Sequence, residues 1–229
     1  MTRRLISSLA LAAALVAAGP ALAQTAAPAD KAKENVDRAA KPSEALPVAQ
    51  LHLSEQLAAY GRAAKDPLSL IVAAQIRQQV GVKVVDRKPD GADSGAPATA
   101  DAGAVVDGLL KEARDLSKND KTIVALADDV KASATKGRVG GGIISLGQIP
   151  GRTIHSRTIN FRANQTAEIA AVGIDTNDIM LEVFDEGGHL ICRDTDPAYC
   201  RFTPAWTGSF TVKVHNDGRS LSHYRLETN

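Results

Sequence analysis

Residues 178–193 read DIMLEVFDEGGHLICR, and this stretch decides the fold of the second half of the chain. Ile179, Leu181 and Val183 take every second position, so that one face of an extended segment is apolar. Gly187-Gly188 then turns the chain into a second short strand. A period of two on both sides of a glycine turn is typical of an antiparallel β-hairpin.

The same alternation continues on either side of this hairpin. Apolar side chains take every second position in residues 159–163 and 210–214, and an Asn-Asp-Gly turn follows at residues 216–218. Short alternating strands between such turns predict an antiparallel, jelly-roll-like β-sandwich over residues 151–229. We expect Trp206, the only tryptophan, to close one end of the sandwich as a core side chain, with a ligand platform as the alternative.

The first half of the chain has the apolar period of a helix. The change occurs at Gly140-Gly141-Gly142, which we interpret as part of a glycine-rich linker over residues 138–150. Upstream, residues 46–137 predict a domain of about four helices, interrupted by a flexible loop at residues 86–103. The first pair of predicted helices aligns weakly with the second pair at a fixed offset in the sequence, as a result either of duplication or of chance. Such an alignment favours two helical hairpins packed together. The fold class predicted is therefore α+β, with two kinds of domain.

Local signals predict where the helices start and which faces they bury. Asp66-Pro67 is a strong start signal, and Asn119 or Asp120 is expected to cap the fourth helix. The helices are expected to pack on one another, with a partner-binding groove as the alternative. In the first helix, the side chains expected on the buried face are Leu46, Ala49, Leu53, Leu57, Tyr60 and Ala64.

The start of the chain has the pattern of a cleavable secretory signal over residues 1–23. Two arginines precede an apolar run, and Ala21-Leu22-Ala23 matches the small–x–small pattern that signal peptidase reads. The apolar run is shorter than the roughly 20 residues that cross a bilayer, which argues against a transmembrane anchor. We predict a mature start at Gln24, a flexible tether over residues 24–45, and a periplasmic or secreted protein.

The charge of the chain is nearly balanced. It carries 27 Lys and Arg residues against 26 Asp and Glu residues; without Arg3 and Arg4 the basic residues number 25, and the formal charge is −1. A nucleic acid held by charge alone is therefore not expected as a partner.

Two stretches of the second half carry a family resemblance. The first comprises residues 178–185, the Gly187-Gly188 turn and Asp194; the second comprises residues 202–214, Asn216, Gly218 and residues 224–226. Together they resemble the bacterial pre-peptidase C-terminal (PPC) domain, over roughly residues 150–229. The resemblance implies a small β-sandwich that is often appended to secreted hydrolases and is not itself the catalyst. It also implies that calcium is a candidate ligand, because some members of that family bind it.

Cys192 and Cys200 are the only cysteines. An even pair this close in an exported protein predicts a disulfide. Closing so short a loop stabilises a protein by about 2.5 kcal/mol in the chain-entropy description. The alternative is a redox pair, but seven residues separate the two cysteines, unlike the Cys-x-x-Cys motif of thiol oxidoreductases.

Acidic residues in the turns are the candidate site residues. Calcium takes six to eight hard oxygen ligands, and loops at strand ends can bring them together. The alternative is that these side chains satisfy backbone groups of their own turns. The candidate calcium ligands are Asp175, Asn177, Asp178, Asp185, Asp194 and Asp196.

No catalytic motif is present in the sequence. None of the five histidines has a partner at metal-ligand spacing, and no Gly-x-Ser-x-Gly elbow, His-Glu-x-x-His or phosphate-binding loop occurs. We therefore predict a non-catalytic binding or accessory protein of the cell envelope, whose sandwich presents loops to a protein, peptide or polysaccharide. The alternatives are a structural or stress-related envelope protein, and a secreted hydrolase with its site at the inter-domain cleft.

Overall fold

A computed structural model describes residues 33–41, 47–85, 89–90, 102–133, 142–175 and 178–229. The predicted signal peptide and Gln24 lie outside the described residues, as does most of the loop at residues 86–103. Within these residues, four helices and one short strand precede the remaining strands of two β-sheets, which confirms the predicted α+β class. The helices are α1 (Pro47–Ala64), α2 (Pro67–Val80), α3 (Ala102–Leu116) and α4 (Lys121–Ala132). None of the described helices combines the length and apolarity that crossing a membrane requires.

The predicted helix starts are confirmed. The Asp66 carboxylate accepts the Leu68 N–H at 3.1 Å, with proline in the first turn of α2. Asp120 caps α4 by accepting the Thr122 and Ile123 N–H groups. In both cases a carboxylate satisfies N–H groups that have no partner inside the helix, which is the preference on which the prediction depended.

The predicted buried face of α1 is wrong for Leu53, Tyr60 and Ala64, whereas Leu57 packs on the helical core and Leu46 lies outside the described residues. Leu53 and Tyr60 are 47% and 60% exposed, whereas the buried positions include Ser54 and Gly61. The Ser54 hydroxyl donates to the Ala73 carbonyl at 2.8 Å, and Gly61 allows α2 to approach. The buried positions of α1 are Val48, Leu51, Ser54, Ala58 and Gly61. Because three of these five residues are small or polar, this face has little hydrophobic contrast, and the apolar pattern indicated another side of the helix.

The helices have their own core, with α2 at its centre. This helix packs against α1, α3 and α4, rather than two hairpins packing as equal units. The largest buried side chains are Leu70 and Leu110, and most of the remainder are alanine or valine. Small side chains let the helices approach closely while burying little apolar area for each residue.

In the part of the chain that the structure describes, nine strands form the two sheets. The strands are β1 (Val82–Val84), β2 (Gly142–Ile149), β3 (Thr153–Phe161), β4 (Ala167–Gly173), β5 (Ile179–Phe184), β6 (Leu190–Thr195), β7 (Ala198–Phe202), β8 (Gly208–Asn216) and β9 (Ser222–Thr228). The five-stranded sheet has the order β1-β2-β9-β4-β7, and the four-stranded sheet has the order β3-β8-β5-β6. All described pairings are antiparallel except that of β1 with β2, and the apolar faces of both sheets enclose one core, which confirms the predicted sandwich.

The predicted linker over residues 138–150 is wrong for its described part. Residues 142–149 are strand β2, which pairs with β9 from Ile143↔Thr228 to Ile149↔Ser222. Val82–Val84, inside the predicted helical domain, adds β1 in parallel to β2. The sheet therefore extends across the predicted boundary. Gly147 interrupts the apolar alternation of β2 because the Tyr224 ring lies over it, where a Cβ would come within 2.5 Å of the ring.

The predicted disulfide is confirmed. Cys192 and Cys200 are joined, and their Cα atoms lie 5.9 Å apart. Cys192 belongs to β6 and Cys200 to β7, so the bond connects the two sheets at one edge of the sandwich. It ties together two edge strands that share no backbone pairing in either sheet.

Candidate binding surface at the loop end of the sandwich

Three loops meet at one end of the sandwich, which we call the loop end. They comprise residues 162–166 after β3, 185–189 after β5 and 203–207 before β8. The strand registers bring them together, since Phe161 pairs with Gly208 and Phe184 with Thr211.

Three phenylalanine rings support the loop end. Phe161 ends β3, Phe202 ends β7 and Phe210 lies near the start of β8. Their ring centroids are 4.9–5.8 Å apart, and each side chain is less than 10% exposed. Aromatic contacts at these distances add to the area that the rings bury. The loops therefore start from a rigid base.

A segment from the predicted tether lies across the loop end. Asn35 is completely buried: its backbone N–H donates to Asp185 at 2.9 Å, and its amide oxygen accepts the Trp206 backbone N–H at 3.0 Å. Its amide nitrogen donates to Glu186 at 3.3 Å, and the Trp206 indole N–H donates to the same carboxylate. Trp206 therefore lies at one end of the sandwich, as expected.

The residues after Asn35 continue this contact. Val36 packs on the sandwich core, and the Asp37 N–H donates to the Thr203 carbonyl at 2.8 Å. The prediction of a tether over residues 24–45 is therefore wrong for these residues. Low hydrophobicity predicted mobility there, but hydrogen bonds, rather than apolar area, hold most of this contact.

Asp185 organises the β5–β6 turn beneath the segment. Besides the Asn35 N–H, it accepts the N–H groups of Gly187 and His189 at 2.9 Å each, and it bonds to the His189 ring. Burial acts to raise the pKa of Asp185, but hydrogen bonds from Asn35 and His189 outweigh it and hold that pKa below its usual value. The site therefore carries a fixed negative charge.

Two clefts adjoin the segment at the loop end. One has a volume of about 570 Å³ and is lined by Asp37, Lys41, Asn164, Gln165 and Thr203 among others. The other, of about 320 Å³, lies between residues 36–40 and residues 201–203. Both are lined by a mixture of polar and apolar groups. Concave surfaces of this kind can bind a partner by shape and by placed hydrogen bonds.

A second unusual feature is a buried charge cluster where α1 and α2 pack on the five-stranded sheet. Arg77 and Arg225 each form ion pairs with both Glu55 and Glu227. The distance to the Glu227 carboxylate is 3.6 Å from Arg77 and 3.5 Å from Arg225. Arg77, Arg225 and Glu227 are each less than 10% exposed. Burial and the neighbouring Arg225 lower the pKa of Arg77 to about 10. The cluster joins the helices to the sandwich.

The inter-domain cleft of the hydrolase alternative lies beside this cluster. It has a volume of about 260 Å³, and its lining includes Glu55, Arg62, Glu112 and Arg225. The two carboxylates are ion-paired, Glu55 with the cluster arginines and Glu112 with Arg62 at 2.7 Å. Both carboxylates of the cleft therefore already have arginine partners within the protein.

The structure separates the candidate calcium ligands. Asp185 lies at the loop end, whereas Asp175, Asp178 and Asp196 lie at the opposite end. Strand β5 separates the two ends, and its six residues span about 20 Å at about 3.3 Å per residue. Asp185 therefore cannot share an ion with the others.

The remaining candidates accept hydrogen bonds from protein groups. Asp175 accepts from Ser222 and His223, Asp194 from the Tyr199 N–H, and Asp196 from the Gly173 N–H at 2.8 Å. Among the described residues, no three His, Cys, Asp or Glu side chains form a group that could hold a metal ion. Asn177 lies outside the described residues, and calcium stays a prediction.

Asp196 makes the stability dependent on pH. Burial raises its pKa to about 6, outweighing the Gly173 N–H and the charge of Arg225. The folded protein therefore holds this proton more tightly than the unfolded chain. The resulting stabilisation is complete below pH 3.8 and is lost as the pH rises through 6. Chemical denaturation measures the difference in unfolding free energy between Asp196→Asn and wild type. We expect this difference to be more favourable to the variant at pH 8 than at pH 5, by on the order of 1 kcal/mol.

Asp175→Asn is the matched control for this measurement. Burial acts to raise the pKa of Asp175, but hydrogen bonds from His223 and Ser222 outweigh it and lower the pKa to about 2. The stabilisation from this carboxylate is present above pH 3.8 and is lost as the pH falls to 2, so its replacement should cost stability at both pH 5 and pH 8. Parallel pH profiles for the two variants would contradict the assignment.

The histidines make contacts that explain them without a metal. His155 is buried beside the Tyr224 hydroxyl, with 3.1 Å between Nδ1 and the oxygen, and burial and Arg157 lower its pKa. His52 stacks on the Tyr199 ring at 4.8 Å. The rings of the other three bond to carboxylates: His189 to Asp185, His215 to Glu182 and His223 to Asp175.

No protein-family model matches the chain, and no curated protein matches it. A mitogen from Yersinia pseudotuberculosis aligns with 40% of this chain and 86% of its own, at 17% identity and a TM-score of 0.32. PliG, a periplasmic inhibitor of g-type lysozyme from Aeromonas hydrophila, aligns with 38% of this chain and 86% of its own, at 16% identity and a TM-score of 0.33. A de novo designed double-stranded β-helix gives a TM-score of 0.26. Scores this low carry no inference about function.

Proposed function

We propose that this chain is an exported, non-catalytic binding protein of the bacterial cell envelope, and that the loop end of its sandwich is the binding surface. The observation that carries the proposal is the hydrogen bonding of Asn35 by Asp185, Glu186 and Trp206. Loops that already hold a segment of the chain through specific hydrogen bonds can recognise a protein, a peptide or a polysaccharide.

The rigid support of the loops favours this function over a purely structural one. The three phenylalanine rings and the Cys192–Cys200 disulfide fix the strands from which the loops arise. A surface that is ordered before binding loses less conformational entropy when a partner arrives. Loops on a rigid scaffold are also where binding residues are most often placed.

Export and family relationship form part of the same proposal. The secretory pattern at residues 1–23 and the disulfide both favour an oxidising compartment such as the periplasm. The β-sandwich agrees with the resemblance to PPC domains, and relationship to that family is proposed on the residues that carry the resemblance. A calcium ion bound through Asn177 and its neighbours belongs to the proposal on the same basis.

Affinity capture from envelope fractions tests the proposed surface. Immobilised full-length protein should retain a partner saturably, and Gln165→Arg, which places a bulky cation in the larger cleft, should reduce the retained amount at least tenfold. Ala125→Arg, on the exposed face of α4, is the control and should retain as much as wild type. If Gln165→Arg and Ala125→Arg retain equal amounts of the partner, the loop end is not the binding surface. No saturable partner at all would favour the structural alternative.

A further inference from the structure

Asn35 occupies a shaped socket whose walls are Asp185, Glu186, Trp206 and Gly208. We call this set the Asn35 socket. Gly208 is needed there, because a Cβ at this position would lie 2.8 Å from the Asn35 amide nitrogen and 2.9 Å from the Glu186 carboxylate. The glycine leaves the space that the amide fills.

The socket is selective for asparagine. It offers carboxylates to the backbone N–H and the amide nitrogen of Asn35, and a backbone N–H to the amide oxygen. Aspartate would place a third negative charge beside Asp185 and Glu186. Alanine would leave the Trp206 N–H and the Glu186 carboxylate without these partners, and unsatisfied buried groups are costly.

The contact is a short linear one. It consists of Asn35, the partly buried Val36 and the backbone N–H of Asp37, while residues 33, 34, 38 and 39 are exposed. Contacts from three consecutive residues, with exposed residues on both sides, are the pattern of a linear peptide motif rather than of a packed structural element. A few hydrogen bonds and one apolar side chain also make a contact that a competing peptide can replace.

We propose that the Asn35 socket is a peptide-recognition site for the motif Asn–Val followed by any residue with a backbone N–H, and that residues 35–37 are its intramolecular occupant, displaced when a partner protein presents the same motif. This rests on the proposed function, because it assigns the partner of the loop end to the class of short linear peptide segments. The occupant keeps the socket closed to weak ligands, since it competes at the high effective concentration of a tethered segment.

Trp206 provides a direct measurement. It is the only tryptophan, and its backbone and indole N–H groups both belong to the socket. In full-length Asn35→Ala, we expect altered tryptophan emission and saturable binding of a fluorescein-labelled peptide of residues 33–41, measured by anisotropy. The unlabelled peptide should return the emission to that of wild type. Wild-type protein should bind the labelled peptide at least tenfold more weakly, because its own segment competes.

Two controls define the specificity. A peptide with alanine at the position of Asn35 should bind at least tenfold more weakly than the native peptide. Asn35→Ala combined with Glu186→Ala should lose the native peptide, because it removes the carboxylate that receives the amide. If Asn35→Ala does not fold, Val36→Ala, which removes only part of the apolar contact of the intramolecular occupant, takes its place, and it should bind the labelled peptide more tightly than wild type does.

The proposal is overturned if the folded variant shows neither binding nor a change in emission, if wild type binds as tightly as the variant, or if the alanine peptide binds equally well. This result is separate from that for the proposed function. If envelope capture still depends on Gln165 but no peptide binds, the Asn35 socket is not a peptide-recognition site, and the proposed binding surface at the loop end still holds.

Discussion

Arg77→Met is expected to lower the free energy of unfolding by about 3–5 kcal/mol, because it leaves the partly buried Glu55 and the buried Glu227 facing one guanidinium. Glu55 and Glu227 now share Arg77 and Arg225, and Glu227 is completely buried. Desolvation of an unpaired carboxylate costs more than the methionine gains by packing. Urea denaturation at pH 7 measures the change from the transition midpoint and its slope.

Arg62→Met is the matched control in the same helical unit. Arg62 pairs with Glu112 at 2.7 Å, but their side chains are 51% and 43% exposed. Exposed pairs contribute about 0–1 kcal/mol, so this variant should unfold close to wild type. An equal loss in both variants would show that the cluster at the helix–sheet contact has no special role.

Phe210→Ala is expected to cost about 3–5 kcal/mol, because it opens a cavity beneath the loop end. Phe210 is completely buried and contacts Phe161 and Phe202. Since all three rings lie under the loops, the same variant should also weaken retention of the envelope partner at a temperature where it stays folded. Thermal melting and affinity capture measure the two effects.

Phe184→Ala separates this effect from general loss of aromatic area. Phe184 ends β5 at the same end of the sandwich, is only partly buried and lies under the Lys213 ammonium at 4.5 Å. Its removal should cost about 1 kcal/mol and leave partner retention unchanged. If Phe184→Ala reduced retention as strongly as Phe210→Ala, the rings beneath the loops would not be the support of the surface.

Sequence patterns were sufficient wherever a short stretch determines its own structure. The period of two in residues 178–193, the caps at Asp66 and Asp120 and the close pair of cysteines depend on neighbours along the chain. The structure confirms each of them. The α+β class followed from the same local periodicities.

Features that depend on distant parts of the chain were missed. Strand β2 is recognisable only once β9 pairs with it, and β1 has three residues and a parallel partner sixty positions away. Asn35 lies in a polar segment, and its burial depends on loops about 150 residues later. The burial of Arg77 and Arg225 likewise follows from the docking of the helices on the sheet.

The candidate calcium set shows the same limit. Asp175, Asp178, Asp185 and Asp196 all adjoin strands, but the end of the sandwich at which each lies depends on strand direction. Counting strands from the hairpin at residues 179–195 places Asp185 opposite to the others, which is a signal the sequence contained.

Site-specific photocrosslinking in intact cells tests the central claim most directly. A photoreactive benzoylphenylalanine replaces Gln165 at the loop end or Ala125 on α4, and both variants are irradiated at equal expression. We predict one discrete adduct from position 165, which co-expression of an excess of protein without the photoreactive residue reduces. We predict no adduct from position 125. Adducts of equal yield from both positions, or from position 125 alone, would contradict the loop end as the binding surface.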